Sequence, residues 1–493
     1  MREFIRPYIW GILGGVLLVL PAVFNGMPLF FYDTEAYFRR PGTLIAQVTQ
    51  GRITSEWVKK PHAMPNGINP ISHANKVAGE EDDGGWYTGR SVYWAVPMYV
   101  IVLIAGIWGV VFFQGALIGC LLALVFFRCL HFDNASAFMA LCGMLAVGTA
   151  AGPFASLLMP DILAGGLILS IAVVFAYWPH LTLMDKTYIT IFSAFAVLAH
   201  DSHLLLVVAA LLALILFFLV ERRKRLGAIV GVPTAFVASM GLVGLVGSIV
   251  FDQVSVAQTG KHAVRFPHIS AHIQQLQVGQ DYIRSHCSGS QFAICRYRDR
   301  LPVRWDNFLF DGTPDIGVFA TASSTERRVL SDEQVRFALA VFRQYPLRTI
   351  LELTMDGVRQ VFQASYVDLQ PLLLASYMQR NFPTKVFERV QTTPAWRHTE
   401  IFYAVWLFHV AIILVSLSLL ILLYARAERP SHEKSLVLFG VAVVLGLVAN
   451  AMVCGVLAAP YDRFQARVIW LMPLLIFLLL LRHRYPLHAT KQG

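Results

Sequence analysis

Residues 93–127 form a run of 35 residues without a single charged side chain. A membrane-spanning helix needs about 20 apolar residues, and the chain has further apolar runs on both sides of this one. Of the 493 residues, 56% are hydrophobic and only 14% are charged, whereas about a quarter of the residues in a soluble domain are charged. These features predict an all-α polytopic membrane protein.

Two apolar stretches decide how often the chain is expected to cross the membrane. Residues 93–127 fit an interfacial segment at 93–105 followed by one span, with Gly106 and Gly109 at the break. The turn at residues 200–203 divides 188–220 into two short helices, because a single span of 33 residues would be about 50 Å long and would bury a charge midway. Together with the other runs this predicts about ten transmembrane helices, at residues 8–24, 107–127, 135–155, 162–177, 188–198, 204–220, 227–251, 401–424, 435–457 and 468–481.

Basic residues cluster at the ends of apolar runs, and the net charge is +10. The clusters lie at 222–225, 426–429 and 482–484. This is the positive-inside pattern of membrane proteins and not a nucleic-acid-binding face. With the N-terminus inside as well, ten spans place Asp33 and Asp161 on the same, outer side. A rival topology, with two spans in 93–127 and one in 188–220, would put these two residues on opposite sides.

The predicted domains follow from the ten-span topology. Residues 1–251 form an N-terminal transmembrane module that contains a long first outer loop at 26–92. Residues 252–397 have the composition of a soluble protein and form a small, mostly helical extracytoplasmic domain. Residues 398–493 form a C-terminal transmembrane module.

Two local patterns describe the predicted outer domain more closely. Helices are expected at residues 331–342, with Ser331 as the capping residue, and at 347–362, because apolar residues recur there with a helical period. Cys287 and Cys295 have seven residues between them. Outside the cytoplasm such a pair is expected to form a disulfide.

The segment Phe31-Tyr-Asp-Thr-Glu-Ala-Tyr-Phe38 lies a few residues beyond the first apolar run. Its carboxylates, Asp33 and Glu35, are predicted at the membrane–water boundary among aromatic side chains such as Tyr37, where a carboxylate can act as an acid or base on a lipid-borne substrate. The alternative is that both lie in water beyond the end of a helix. Asp161 opens a later span and is either a third catalytic carboxylate or a helix N-terminal charge.

Further polar residues are predicted on the same outer side as substrate-binding candidates: Arg90, His200, Asp201, His203, Arg463 and Arg467. The histidines and Asp201 also fit a hydrogen-bonded turn, and His-x-x-His alone has too few ligands for a zinc site. Arg463 and Arg467 lie four residues apart and therefore on one helical face. They either reach towards lipid headgroups or clamp a lipid-linked phosphate.

Three stretches of the chain resemble the GT-C glycosyltransferases, membrane enzymes that use sugars linked to polyprenyl phosphate. They are Tyr32-Asp-Thr-Glu-Ala-Tyr37, the stretch from Gly89-Arg-Ser-Val-Tyr-Trp94 to Phe112-Phe-Gln114, and Leu158-Met-Pro-Asp-Ile-Leu163. Arg463-Phe464 is also similar to an Arg-Tyr pair in one branch, that of the protein O-mannosyltransferases and the lipid A aminoarabinose transferase. The resemblance covers roughly the first 220 residues and, loosely, the last 100, but not residues 252–397.

The resemblance implies inverting transfer of a sugar from a polyprenyl-phosphate carrier to an acceptor hydroxyl on an envelope lipid or glycan. Asp33 would be the base, and Arg90, Arg463 and Arg467 would stabilise the charge on the departing phosphate. It also implies a bacterial inner-membrane protein whose active site faces the periplasm and contacts membrane lipids. A requirement for a divalent cation, Mg²⁺ or Mn²⁺, stays open.

Two other classes of protein remain open at this point. A transporter or flippase of a lipid-linked glycan would carry its charges within spans near the bilayer midplane, whereas here they are predicted at the outer ends of spans. A non-catalytic subunit of an envelope-glycan assembly complex would use residues 252–397 to bind a partner. A transferase requires Asp33, Asp161 and an arginine around one lipid-facing cavity, and a scaffold does not.

Overall fold

The computed structural model of the chain describes residues 2–58, 86–221, 227–289, 292–426 and 434–484. Helices make up 77% of it, and no β-strand forms in the described residues. Seven helical stretches in this part are long and apolar enough to cross a membrane, as expected of a helical membrane protein. They are Ile5–Asn25, Val92–Cys129, Ile162–His180, Gly231–Thr259, Glu400–Leu422, Lys434–Leu457 and Arg463–Arg484.

Shorter apolar helices accompany these stretches at Ala135–Gly148 and Asp201–Ala213. The count of ten spans therefore stays a prediction. The basic cluster at 222–225 and residues 59–85 of the first outer loop lie outside the described residues.

The helices of the N-terminal half begin and end as follows: α1 (Arg2–Leu18), α2 (Leu20–Asn25), α3 (Thr34–Val48), α4 (Val92–Ala123), α5 (Ala135–Gly148), α6 (Ala151–Ala155), α7 (Ile162–Tyr177), α8 (Leu183–Ala199), α9 (Asp201–Glu221) and α10 (Gly227–Thr259). Both breaks expected from the sequence are present. Gly106 interrupts α4 with φ 67° and ψ −173°, and α8 and α9 are separated by the extended residue His200. The interfacial position of residues 93–105 stays a prediction.

Helix α7 is the centre of the membrane part. All 16 of its residues are buried, and it packs against α4, α8, α20 (Lys434–Leu457) and other helices. Asp161 is the residue immediately before α7. Because the helix that follows it is enclosed on all sides, Asp161 is buried at one end of the bundle.

Glycine residues bring α1 and α4 into direct backbone contact. Gly11 and Gly15 face Gly115 and Gly119, so each helix contributes two glycines four residues apart. A Cβ atom added to Gly119 would lie 2.1 Å from the Gly11 carbonyl oxygen. Small residues at this spacing are the usual means by which membrane helices approach closely. Gly115 and Gly119 lie in the half of α4 beyond Gly106, away from Arg90, so the contact holds α1 against this half of α4.

Residues 252–397, called the outer block after their predicted position, contain short helices and two longer ones: α11 (His268–Ile273), α12 (Gln277–His286), α13 (Trp305–Phe310), α14 (Ser324–Gln344), α15 (Pro346–Phe362), α16 (Ala375–Asn381), α17 (Thr384–Gln391) and α18 (Pro394–Arg397). The predicted helix at 347–362 is α15. The predicted start at Ser331 is wrong, because Ser323 and Glu326 form a capping box that begins α14 earlier. The predicted disulfide between Cys287 and Cys295 is present and is expected to contribute about 2–3 kcal/mol to this block.

The outer block is divided between two hydrophobic cores. Residues 264–341 form a core of their own, to which Tyr87 of the first outer loop also belongs. Tyr366, Leu369, Met378 and other residues of the later part belong instead to the core of the membrane helices. The chain then returns to the bundle through α19 (Glu400–Arg426), α20 (Lys434–Leu457), α21 (Arg463–Ile469) and α22 (Leu471–Arg484).

Replacement of Gly119 by valine is expected to destabilise the protein by about 1–3 kcal/mol, because the added atoms overlap the backbone of α1. Thermal unfolding of the purified protein in detergent would report this loss. Gly143→Val in α5 is the matched control, since no described atom outside the local helix lies within 4 Å of a Cβ at that position. Equal unfolding midpoints for the two variants would contradict the close α1–α4 contact.

Candidate functional site

The first outer loop reaches the start of α7 through backbone hydrogen bonds. The N–H of Leu29 donates to the Ser156 carbonyl at 2.9 Å, and the N–H of Leu158 donates to the Leu29 carbonyl at 3.1 Å. Asp33 follows this pairing in the first outer loop, and Asp161 follows it before α7. The two carboxylates therefore come together although they are far apart in sequence.

Arg463 lies between the two carboxylates. Its Nη2 is 3.9 Å from Oδ2 of Asp33, and its Nε is 3.8 Å from Oδ1 of Asp161. Arg467, one helical turn later in α21, has Nη1 3.9 Å from the same oxygen of Asp161. The predicted spacing on one helical face thus directs both arginines at Asp161. We call the group Asp33, Asp161, Arg90, Arg463 and Arg467 the charge cluster.

Arg90 completes the charge cluster from the start of α4. It forms an ion pair with Asp33. Its Cζ lies 5.4 Å from the centroid of the Phe266 ring and 5.8 Å from that of Phe310. Both aromatic rings belong to the outer block, and such contacts favour a cation held over the ring face. Arg90 is therefore positioned by the membrane part and the outer block together.

The two carboxylates of the charge cluster differ in access. The side chain of Asp33 is 23% exposed and that of Asp161 only 2%. Both residues lie at helix N-caps, but neither side chain makes a capping hydrogen bond. Burial alone would raise the pKa of Asp33, but the Arg90 and Arg463 guanidiniums outweigh burial and hold this pKa below its ordinary value. Asp33 is therefore the ionised carboxylate that a substrate can reach.

Some hydrogen-bond donors of the charge cluster are unused. The Nε–H groups of Arg90, Arg463 and Arg467 are buried, and they donate to no acceptor among the described residues. Buried donors without acceptors are costly. An anion with several oxygen atoms would satisfy them, because guanidinium groups bind phosphate and carboxylate with paired hydrogen bonds. The arrangement is therefore suited to a phosphate.

The turn between α8 and α9 holds Arg467 in place through a hydrogen bond. Nη2 of Arg467 donates to Oγ of Ser202 at 3.1 Å, and that oxygen lies 2.9 Å from Nδ1 of His200. The ring of His203 is fully buried and its Nδ1 faces a backbone carbonyl of α8 at 2.6 Å, so this nitrogen carries the proton. Asp201 is exposed at the start of α9. The geometry is that of a hydrogen-bonded turn that positions an arginine.

Glu35 and Tyr37 are both held within the protein. Oε1 of Glu35 lies 2.6 Å from Nε of Arg39, one turn later in α3, and the Glu35 side chain is 2% exposed. The ring of Tyr37 packs edge-on against Trp94 at 4.8 Å between centroids and is almost fully buried. These contacts hold α3, the helix that follows Asp33, in place. A catalytic role for Glu35 and a sugar contact for Tyr37 stay predictions.

Several further residues lie beside the charge cluster and were not predicted from the sequence. The hydroxyl of Tyr461 donates to Oδ2 of Asp368 at 2.7 Å, and the buried Oδ1 of Asp368 accepts no hydrogen bond within the described residues. The ring of Trp305 lies 5.7 Å from that of Tyr461 and 6.3 Å from that of His268. These residues come from separate segments, and no motif connects them in the sequence.

Burial shifts the pKa of two of these residues. Burial raises the pKa of Asp368, and the nearby Arg463 offsets this only in part. Burial and the charge of Arg90 lower the pKa of His268 to about 4, so its ring is neutral near pH 7. His268 can therefore exchange hydrogen bonds with a ligand but does not add to the positive charge.

The residues of the charge cluster do not fit a divalent cation. Carboxylate oxygens suit Mg²⁺ and Mn²⁺, but those of Asp33 and Asp161 face guanidinium groups, which repel a cation. Among the described residues, no three His, Cys, Asp or Glu side chains converge as metal ligands would. We therefore assign no residue of this site to a metal.

A cavity of about 530 Å³ borders α15. It is lined by Gln275, Leu276, Gln277, Leu351, Glu352, Met355, Asp356, Arg359, Gln363 and Pro460. None of the five charge-cluster residues belongs to this lining. Asp33, Asp161 and an arginine converge as predicted, with Asp33 partly exposed and Asp161 buried, and a lipid-facing cavity around them stays a prediction.

Comparison of the chain with protein-family models, with curated proteins and with solved structures gives no match. The family resemblance therefore depends on the short motifs alone. The function has to be argued from the geometry of the charge cluster and its neighbours.

Replacement of Asp161 by asparagine is expected to lower the free energy of unfolding by about 3 kcal/mol, because it leaves Arg463 and Arg467 buried without their shared counter-charge. Thermal or denaturant unfolding in detergent measures this change. Asp299→Asn is the control, since that side chain is 90% exposed beside Arg298 and an exposed pair contributes at most about 1 kcal/mol. Equal unfolding free energies for the two variants would show that Asp161 does not compensate the charges of Arg463 and Arg467.

Proposed function

We propose that the protein is a GT-C-like glycosyltransferase that moves a sugar from a polyprenyl-phosphate carrier to an extracytoplasmic acceptor hydroxyl with inversion. One observation carries the proposal. An accessible carboxylate, Asp33, lies against arginines whose unused donors suit a phosphate. A transferase needs both functions within one site, since the base and the departing phosphate act on the same sugar.

The phosphate of the carrier would bind to Arg90 and Arg463. In this structure these arginines face Asp33. When the carrier binds, its phosphate oxygens would take the place of the Asp33 carboxylate in some of these contacts. Asp161 would stay between Arg463 and Arg467 and hold both guanidiniums in place. Fixed positive charges at the leaving group stabilise the transition state without reorganisation.

Asp33 would accept the proton of the acceptor hydroxyl. The acceptor oxygen then bonds to the anomeric carbon while the bond from that carbon to the phosphate oxygen breaks, and the phosphate leaves with the electron pair. Three further residues would contact the sugar ring. Trp305 and Tyr461 offer aromatic faces, and the unused Oδ1 of Asp368 can accept a hydrogen bond from a sugar hydroxyl.

A structural scaffold is the second candidate. Buried arginines can also serve only to hold helices together, and the burial of Asp161, Arg463 and Arg467 agrees with such a role. A scaffold gains nothing from an accessible carboxylate, whereas a transferase requires one. The two functions therefore differ in what they predict for Asp33.

Replacement of Asp33 by asparagine keeps the shape of the side chain and removes the base, so sugar transfer is expected to fall by at least about 10²-fold. Glu35→Gln is the matched control and is expected to cost less, because Glu35 is paired with Arg39 inside α3. Both variants would be produced in cells that lack the wild-type protein. Mass spectrometry of envelope lipids would follow the carrier-linked sugar, which accumulates when transfer stops. Full activity of Asp33→Asn at normal expression would favour the scaffold.

The proposal includes a topology with ten spans in the bacterial inner membrane and the charge cluster facing the periplasm. An impermeant thiol reagent applied to whole cells is expected to label Tyr32→Cys and Asp299→Cys but not Asp133→Cys, which lies at the opposite end of the bundle. All three positions are exposed, and the four native free cysteines are buried. Labelling of Asp133→Cys before permeabilisation, or protection of Tyr32→Cys, would refute the topology.

A further inference from the structure

The exposed and buried faces of α15 are the reverse of those in a water-soluble helix. Its buried positions are Thr349, Asp356, Gly357 and Gln360. Its exposed positions include large apolar side chains, with exposed fractions from 45% to 81%: Leu347, Ile350, Leu351, Met355, Val358 and Phe362. These six recur at three- and four-residue intervals and form one stripe along the helix. We call them the α15 stripe.

The polar face of α15 is fixed towards the protein by specific hydrogen bonds. Oδ2 of Asp356 lies 3.0 Å from Nε2 of His272, whose other ring nitrogen lies 2.9 Å from the Val456 carbonyl. The side chain of Gln360 accepts from the N–H of Tyr461 at 2.7 Å and donates to its carbonyl at 3.0 Å. Because these partners are buried or backbone groups, α15 cannot rotate to bury its apolar stripe.

Helix α15 lies at the level where a membrane span ends. It crosses α20 at two glycines, and a Cβ added to Gly455 would lie 2.8 Å from Cα of Gly357. Gly455 is two residues before the end of α20 at Leu457, which is about 3 Å along the helix axis. This is the end of α20 that leads into Arg463 and the charge cluster. The helix that carries the α15 stripe therefore packs, through its opposite face, against the last turns of a helix long and apolar enough to span a membrane.

We propose that α15 lies in the outer membrane–water interface with its apolar stripe in contact with the acyl chains of lipids. Exposed apolar stripes of this length are unfavourable in water, whereas a helix with one apolar and one polar face binds parallel to a bilayer surface. Leu339 and Phe342, near the end of the preceding helix α14, are exposed as well. The inference holds whichever reaction the protein catalyses.

Contact of α15 with lipid would also fix the depth of the candidate site in the membrane. Gln360 binds the backbone of Tyr461, two residues before Arg463. The depth of α15 in the leaflet therefore sets how far the charge cluster lies from the headgroups. A substrate that arrives within the membrane would meet the cluster at that depth.

Spin labels can test the position of α15 directly. Leu351→Cys and Phe362→Cys would each be labelled with a nitroxide in the full-length protein, reconstituted in nanodiscs of phosphatidylethanolamine and phosphatidylglycerol. Leu414→Cys in the span α19 is the lipid-facing control, and Asp299→Cys in the outer block is the water-facing control. All four positions are exposed, so the labels should not disturb folding.

The expected result is that labels at Leu351 and Phe362 collide with oxygen more often than with a water-soluble nickel chelate, as the Leu414 label does. The Asp299 label should show the opposite ratio. Nickel accessibility at Leu351 equal to that at Asp299 would overturn the proposal, because α15 would then face water. Low accessibility to both reagents would overturn it as well, because protein would then cover the stripe. A short distance between spin labels on two molecules would identify a second copy of the chain as that cover.

Discussion

The structure depends above all on the mutual compensation of charges buried at the end of α7. A charged side chain removed from water costs several kcal/mol unless an opposite charge and hydrogen bonds accompany it. Asp161 therefore needs Arg463 and Arg467, and these arginines need Asp161. The requirement connects α7 to α21 and, through Arg463 and Asp33, to the first outer loop.

Two kinds of close backbone contact hold the segments around these charges. The glycine contact joins the backbones of α1 and α4, the helices that precede Asp33 and follow Arg90. The hydrogen bonds of Leu29 with the segment before α7 then bring Asp33 to the level of Asp161. Both contacts are sensitive to side-chain volume or to register, so small changes far from the charges would alter the distances between them.

The candidate site lies where the membrane part meets the outer block. Phe266 and Phe310 of the outer block lie over Arg90, and Trp305 packs against Tyr461 just before Arg463. The outer block in turn rests on α20 through α15, whose polar face is bound to the protein and whose apolar face is exposed. Such an arrangement is suited to chemistry on a molecule that is half in lipid and half in water.

The sequence by itself determined the features that depend on local composition. Apolar runs of sufficient length predict a helical membrane protein, and the breaks at Gly106 and His200 follow from a glycine and from a polar turn within such runs. The disulfide followed from two nearby cysteines in a polar block. The prediction that Asp33, Asp161 and the arginines lie at the same ends of spans agrees with their convergence, while the ten-span topology stays a prediction.

The tertiary structure alone decided which charges face each other and which surfaces remain uncovered. Asp33 and Glu35 are two residues apart and alike in chemistry, yet one faces Arg90 while the other is paired within α3. Asp368 joined the site only through its contact with Tyr461. The period of apolar residues predicted that α15 is amphipathic, but not that its apolar face points outwards. Periodicity records which residues share a face, whereas the partner of that face is set by long-range packing.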